Sequence, residues 1–337
     1  MAMRNMKTFT EYLDKIRPEV NEHIKAIAEA KLKDLDVIPV LLKGKRLRAG
    51  LLMLMFDSIS AISDKSDPLL FQLFRQIVTA ADRNKALDLA CAIELAHSAS
   101  LILDDMLDKD TERRGLPTIH LKRGHKQAML DSVGVLSIPY DIIAKYGSNY
   151  VEMLADTQRS MVSGVIRELF HKPDLPALKL YDAVITQKTG RLFELAAWWG
   201  CMAADEQKVV RYQLFSDYGL HCGKAMQIAD DIADLNKIIE GKKTGGFGSE
   251  MLLFKCMTAD RLVKEFIKDV KNRSLQPSKL KEFMTNSGVN KALNELLQKE
   301  IDEARWCVLK ANIPHFKCHE PLMRAPTEIA GMMIKEV

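Results

Sequence analysis

Long proline-free stretches constrain the fold of this chain most. No proline lies between Pro68 and Pro117 or between Pro176 and Pro277, so nothing there removes a backbone donor or clashes with a preceding helical turn. Apolar residues recur at helical spacing in the first stretch, as in Leu87, Leu89 and Ala90, Ile93, and on to Leu101. Strand signals are weak. Aromatic residues make up 7% of the chain, and no Asn-Gly or Asp-Gly turn joins alternating runs. Helices are expected near 8–35, 43–62, 68–80, 84–109, 118–130, 149–170, 177–202, 206–239, 257–273, 277–286, 289–311 and 320–335. No repeat, low-complexity linker or composition shift divides the chain, and 47% hydrophobic residues can fill a large core. The expectation is one all-α domain over residues 1–337.

Two of the expected helices carry the same unusual cluster. Asp104, Asp105 and Asp108 form a DDxxD in LILDDMLD, and Asp230, Asp231 and Asp234 form a second in QIADDIAD. In a helix the first and last aspartates of each cluster stand one turn apart on one face. Like charges at that spacing weaken a helix by roughly 0.2–0.5 kcal/mol per pair. A divalent cation removes that penalty. Hard oxygen donors with no nearby His/Cys set favour Mg²⁺, which is commonly held by one or two carboxylates plus substrate phosphates. Two such helices facing each other make a Mg²⁺–diphosphate clamp.

Cations accompany the clusters. The run Lys43-Gly44-Lys45-Arg46-Leu47-Arg48 opens the second expected helix, where positive charge opposes the macrodipole but, with the free N–H groups, suits an anion. Arg113 and Arg114 follow the first cluster within reach of an anion held there. His97 lies two turns before Asp104, and Gln227 three residues before Asp230, so both share a carboxylate face. Lys188, Thr189 and Lys255 are unremarkable by themselves. The methionine stripes, such as Met53 with Met55, suit core filling.

Several classes are disfavoured. A net charge of +4 is too mild to imply a nucleic-acid partner. No apolar run reaches the length of a membrane span, and no N-terminal segment resembles a signal peptide. Six cysteines without a CxxC pair suit reduced thiols in a cytoplasmic protein. The segment His315 to His319 contains two histidines and Cys318 but lacks a second ligand pair.

Taken in order, GKRLR at 44–48, ELAHSASLILDDMLDKDTERRGLP at 94–117, KTGRLFELA at 188–196 and GKAMQIADDIAD at 223–234 resemble the trans-isoprenyl diphosphate synthases. The resemblance implies an all-α bundle around a central cavity, usually a homodimer, that condenses an allylic diphosphate with isopentenyl diphosphate. By that resemblance Asp104, Asp108 and Asp230 hold Mg²⁺, while Asp105 and Asp231 support the ions or orient their water. Asp234 stands between the two roles and is counted with the metal ligands. Arg113, Lys188 and one of Lys242 or Lys243 contact the allylic diphosphate. Lys45, Arg48, His97 and Arg114 bind isopentenyl diphosphate, and Lys255 belongs to the phosphate wall. Thr189 and Gln227 present oxygens where an allylic cation develops.

The sequence departs from the family pattern at Leu103 (often His), Ala49 (often Pro), Met226 (often Phe) and Ser132-Val133 (often Gly-Asp). None of these removes an aspartate. A class I terpene cyclase is the runner-up, but it pairs one DDxxD with a different downstream motif. A non-catalytic modulating subunit would have lost aspartates or the basic run. Product length is expected to depend on Ala99 and Ser100, five and four residues before Asp104, where members stopping at C15 often carry a bulky aromatic. The small pair favours geranylgeranyl diphosphate (C20), then longer chains, then C15.

Overall fold

The computed structural model describes residues 6–32, 37–63, 80–170, 177–204, 209–240, 282, 289–311 and 318–334. The expected helices near 68–80, 257–273 and 277–286, with Lys242, Lys243 and Lys255, lie largely or wholly outside them. In chain order the helices are α1 (Phe9–Lys31), α2 (Ile38–Leu42), α3 (Leu47–Ser63), α4 (Ala80–Asp108), α5 (Ile119–Arg123), α6 (His125–Ile143), α7 (Ser148–Phe170), α8 (Ala177–Ile185), α9 (Arg191–Ala204), α10 (Val209–Ile239), α11 (Val289–Lys310) and α12 (His319–Ile334). The fold class is all-α, as the proline-free stretches imply.

Two helices explain the centre of the bundle. Every residue from Leu51 to Phe56 in α3 and from Ala86 to Ala96 in α4 is buried, whichever way its side chain points. A helix that is apolar all round can be satisfied only by neighbours on every side. The packing supplies them: α3 lies against α4 and α9, α4 against α6, and α9 against α10, which in turn carries α11 and α12. Helix α4 is long and apolar enough to cross a membrane by composition, but 78% of that window is buried inside the protein. Its apolarity is that of a core helix.

Three expectations need correction. The helix expected near 8–35 ends at Lys31, and the short α2 follows. The helix expected near 118–130 is a short α5 and then a long α6 running to Ile143. Ser132, Val133 and Gly134 are weak helix formers, yet Ser132 Oγ donates to the Ala99 carbonyl at 2.9 Å and Val135, Ile138 and Ile142 are buried. Tertiary packing overrides the local preference. The helix expected near 177–202 is interrupted by a π-helical segment, Thr186–Gly190.

A two-stranded hairpin, β1 (Glu112–Arg113) with β2 (Leu116–Pro117), was not legible in the sequence. Its turn residues Arg114 (φ 54°) and Gly115 (φ 72°) both have positive φ, as a type I′ turn requires. Arginine occupies the place where asparagine or aspartate is usual, so the common sequence signal is missing.

Close packing of α3 on α9 depends on Gly200, where an added Cβ would stand 2.3 Å from the Leu52 carbonyl oxygen. Gly200→Ala must therefore push the two helices apart, and is expected to destabilise the fold by about 1–3 kcal/mol. Thermal unfolding measures this; an unchanged midpoint would contradict the packing described.

Candidate active site

The two aspartate clusters line one cavity of about 1720 Å³. Asp104 and Asp108 come from the last turns of α4, and Asp230, Asp231 and Asp234 from the middle of α10. Helix α4 stops immediately after its cluster. Lys109 takes the left-handed conformation (φ 59°), and the Asp110 N–H bonds back to the Asp105 carbonyl at 3.0 Å, a helix-ending geometry that glycine usually provides. The hairpin then carries Arg113 back onto the cluster.

Within each DDxxD the three carboxylates divide the same way. The middle aspartate is buried and held by protein. Asp105 accepts from Arg113 Nε at 2.7 Å, and Arg113 also reaches Asp110 at 3.0 Å. Asp231 accepts from Tyr181 Oη at 2.6 Å and from Gln227 Nε2 at 2.9 Å. The outer members, Asp104 with Asp108 and Asp230 with Asp234, are half-buried and line the cavity. Lys237, one turn on, touches Asp234 at 3.2 Å.

The electrostatics fit a cation between these turns. Desolvation raises the Asp104 carboxyl above its ordinary value, against the pull of Lys188 and with a further push from Glu168. Desolvation likewise pushes Asp108 up to about 6, with Asp104 adding to it and Lys188 opposing it. Carboxylates that resist ionisation despite a neighbouring lysine need more positive charge than the protein supplies. Among the described residues, no three His, Cys, Asp or Glu side chains converge as a group that could hold a metal.

Lys188 and Thr189 sit in the π-helical segment, a local irregularity common at functional sites. Gly164 of α7 lets that segment approach: a Cβ there would stand 2.7 Å from the Lys188 nitrogen. Lys188 Nζ lies 2.7 Å from Glu168, a buried carboxylate of α7. Its pKa is raised: the neighbouring Glu168, Asp104 and Asp108 outweigh the opposing effect of desolvation. Thr189 Oγ1 donates to Gln227 Oε1 at 2.6 Å. A continuous chain therefore runs from Thr189 through Gln227 to Asp231 and Tyr181.

Part of the cavity lining is cationic. Helix α3 begins at Leu47, so Lys43 to Arg46 precede it rather than open it, a correction to the expected start. The whole run from Lys43 to Arg48 borders the cavity, and Arg46 is its most deeply buried cation at 2% exposed. Arg48 lies over the Phe193 ring at 4.6 Å, and its buried Nε has no hydrogen-bond partner. Burial lowers its pKa to about 10, with Glu94 opposing and Arg114 adding to the shift. Lys45 Nζ donates to the Met332 carbonyl of α12 at 2.8 Å. Arg114 donates to the Lys43 carbonyl. His97 is pushed well below its ordinary range by burial and by Arg48, Arg114, Arg113 and Arg46, so it is a neutral imidazole among arginines. Lys45, Arg48, His97 and Arg114 all line the cavity, as do Ala99 and Ser100 below Asp104.

Residues 35–246 match the sequence model of the polyprenyl synthetase family. The chain belongs to that family. It is thereby a prenyltransferase. It is 27% identical over 276 residues to the geranylfarnesyl diphosphate synthase of Methanosarcina mazei, covering 80% of this chain and 85% of that protein. It is 37% identical over 159 residues to the geranylgeranyl diphosphate synthase of Pseudescherichia vulneris, a match covering 44% of this chain and 52% of that one. Its fold is similar to the crystal structure of a polyprenyl synthase from Caulobacter crescentus CB15, complexed with calcium and isoprenyl diphosphate. The TM-score is 0.74 at 21% identity, over 97% of this chain and 98% of that chain.

Glu168 and Tyr181 were missed in the sequence because they come from elements remote from the aspartates; Glu94 shares α4 with Asp104 and stands one turn before His97, so its spacing could have marked it. Lys237 could have been found, since it shares a face with Asp230 and Asp234. The metal-like segment at 315–319 lies mostly outside the described residues, and Cys318 is buried.

Asp108 yields a pH prediction. Its folded-state value of about 6 exceeds the ordinary 3.8, so the folded state binds the proton more tightly than the unfolded state. Its ionisation therefore lowers stability as pH rises from about 4 to about 6, and the loss is complete above that. Without metal, Asp108→Asn should melt above the wild type at pH 7.5 and lose that advantage near pH 4. A variant less stable than wild type at pH 7.5 would contradict the assignment.

Proposed function

We propose that this prenyltransferase condenses an allylic prenyl diphosphate with isopentenyl diphosphate to give a trans-prenyl diphosphate, with geranylgeranyl diphosphate (C20) as the main product. The observation that carries the reading is the pair of DDxxD turns lining one cavity together with arginine and lysine side chains. Mg²⁺, the divalent ion best matched to this all-carboxylate donor set, would neutralise charge on the leaving diphosphate when held by Asp104, Asp108, Asp230 and Asp234.

The chain's own residues do the rest. Lys188 and Arg113 stand beside the first cluster, close to where the diphosphate charge develops, and positioned cations there stabilise the departing group. Lys45, Arg48, Arg114 and neutral His97 line the same cavity and suit the diphosphate of isopentenyl diphosphate. Thr189 uses its proton on Gln227, which leaves its oxygen lone pairs for an electron-poor allylic carbon. Gln227 is oriented for this by Asp231, and Asp231 by Tyr181. The proton lost at the end of condensation can pass to the departing diphosphate, so no protein base is required.

The small pair Ala99 and Ser100 favours C20. The cavity is also lined by Leu136, Val162 and Val165 and by Tyr140 and Gln158, joined by a 2.6 Å hydrogen bond. On α7, Gln158 lies ten residues from Glu168, the partner of Lys188 near the first cluster, which is about 15 Å of helix. On this reading the Tyr140–Gln158 pair limits the tail, so a C15 primer is accepted and its C20 product is not extended. Exposed Met129, Leu130 and Val133 on α6 offer an apolar face to a second copy, in keeping with a homodimer.

Incubation with isopentenyl and farnesyl diphosphates should give a C20 diphosphate with Mg²⁺ and none with excess chelator. Asp104→Ala or Asp230→Ala should each lower turnover by several orders of magnitude. Full activity in chelator, or a cyclised hydrocarbon product, would overturn the reading. For length, Ala99→Phe should shorten the product and Tyr140→Ala lengthen it, read by chromatography. Unchanged product distributions in both variants would place the floor elsewhere.

A further inference from the structure

Arg46 belongs to the basic run that lines the cavity and itself borders it, yet its guanidinium is almost wholly buried and engaged by protein groups. Its backbone is held at φ 61°, a left-handed conformation that a non-glycine residue adopts only where its surroundings enforce it. What enforces it is a set of three contacts. Nε donates to Asn21 Oδ1 of α1 at 2.7 Å, Nη2 donates to the Leu41 carbonyl at the end of α2 at 2.6 Å, and Nη1 lies 3.3 Å from Glu94 Oε2 of α4. Both partners of the ion pair are almost wholly buried.

Glu94 has a second contact. Its Oε1 accepts the Ala49 N–H of the first turn of α3 at 3.1 Å, a favourable place for a carboxylate. One carboxylate thus grips the chain at Arg46 and again at Ala49. Between and beside those grips are Lys45 and Arg48, which face the cavity. Glu94 also lies one turn before His97 on α4.

We propose that Arg46 and Glu94 form a buried latch that positions Lys45 and Arg48 for isopentenyl diphosphate. Both residues border the cavity, but their side chains are 1% and 5% exposed and are held by protein groups, so both are assigned as positioning residues. The inference rests on the proposed condensation, because it concerns the half of the cavity assigned there to isopentenyl diphosphate. The latch ties together α1, α2, α3 and α4, whereas Lys188 and Thr189 come from the π-helical segment and the second aspartate cluster from α10. Its loss should therefore be felt by one substrate and not the other.

The test is steady-state kinetics of Arg46→Lys, Glu94→Gln and the double variant Arg46→Met/Glu94→Gln, each with its melting temperature. Lysine cannot reproduce the three-way fork of the guanidinium. KM for isopentenyl diphosphate should rise roughly tenfold, with kcat and the allylic KM within about twofold of wild type. The double variant leaves no unpaired buried charge, so it should fold and still show the raised KM. Equal changes in both KM values, or an unchanged KM for isopentenyl diphosphate in a folded double variant, would overturn the latch. A wild-type chain that never consumes isopentenyl diphosphate would instead overturn the function on which it rests.

Discussion

The site depends on carboxylates kept close to one another with too little positive charge between them. Left to themselves, two DDxxD turns would move apart or take up protons. They do not move because α4 is buried on all sides over residues 86–96, ahead of its cluster, and α10 packs against α9, α11 and α12. Part of the hydrophobic stabilisation of the core is thus spent on holding like charges together. The raised pKa values of Asp104 and Asp108 are the visible result of that confinement, and they make the cavity a site that a divalent cation completes.

The same constraint accounts for how each cluster is subdivided. If all three aspartates of a turn faced the cavity, each side chain could swing and the metal positions would be poorly defined. Burying Asp105 against Arg113 and Asp231 against Tyr181 and Gln227 fixes the turn, so the outer carboxylates are presented at a set spacing. The backbone irregularities serve the same end. Left-handed Lys109 ends α4 at the cluster, left-handed Arg114 folds the hairpin back toward it, and the π-helical segment turns Lys188 and Thr189 inward. Local strain at Arg46, Lys109 and Arg114 is tolerated because tertiary contacts over-determine each position.

Much of this was legible in the sequence, and the reasons differ by feature. Proline-free stretches and apolar spacing exposed the long helices, because both act locally. The aspartate faces were legible because helical periodicity alone puts Asp104 with Asp108 and Asp230 with Asp234. The partners of Arg46 were not legible because Asn21 and Glu94 lie far from it in the sequence and Leu41 contributes only a backbone carbonyl. The π-helical segment and the extension of α6 to Ile143 escaped for the same reason: packing of Gly164 on Lys188, and of Ser132 on Ala99, outweighs local preference. The hairpin escaped because an Arg-Gly turn lacks the usual asparagine or aspartate. Glu168 and Tyr181 have no sequence neighbour that marks them, and only folding brings them to the lysine and aspartate they contact.

The central claim is that the two aspartate turns act together on a metal that also needs the diphosphate. Mn²⁺ binding followed by electron paramagnetic resonance, with and without inorganic diphosphate, tests it directly. Tight binding should require diphosphate, since the protein alone does not close the coordination shell, and Asp104→Asn and Asp230→Asn should each abolish it. Tight Mn²⁺ binding without diphosphate, or binding that survives the loss of either aspartate, would contradict the account.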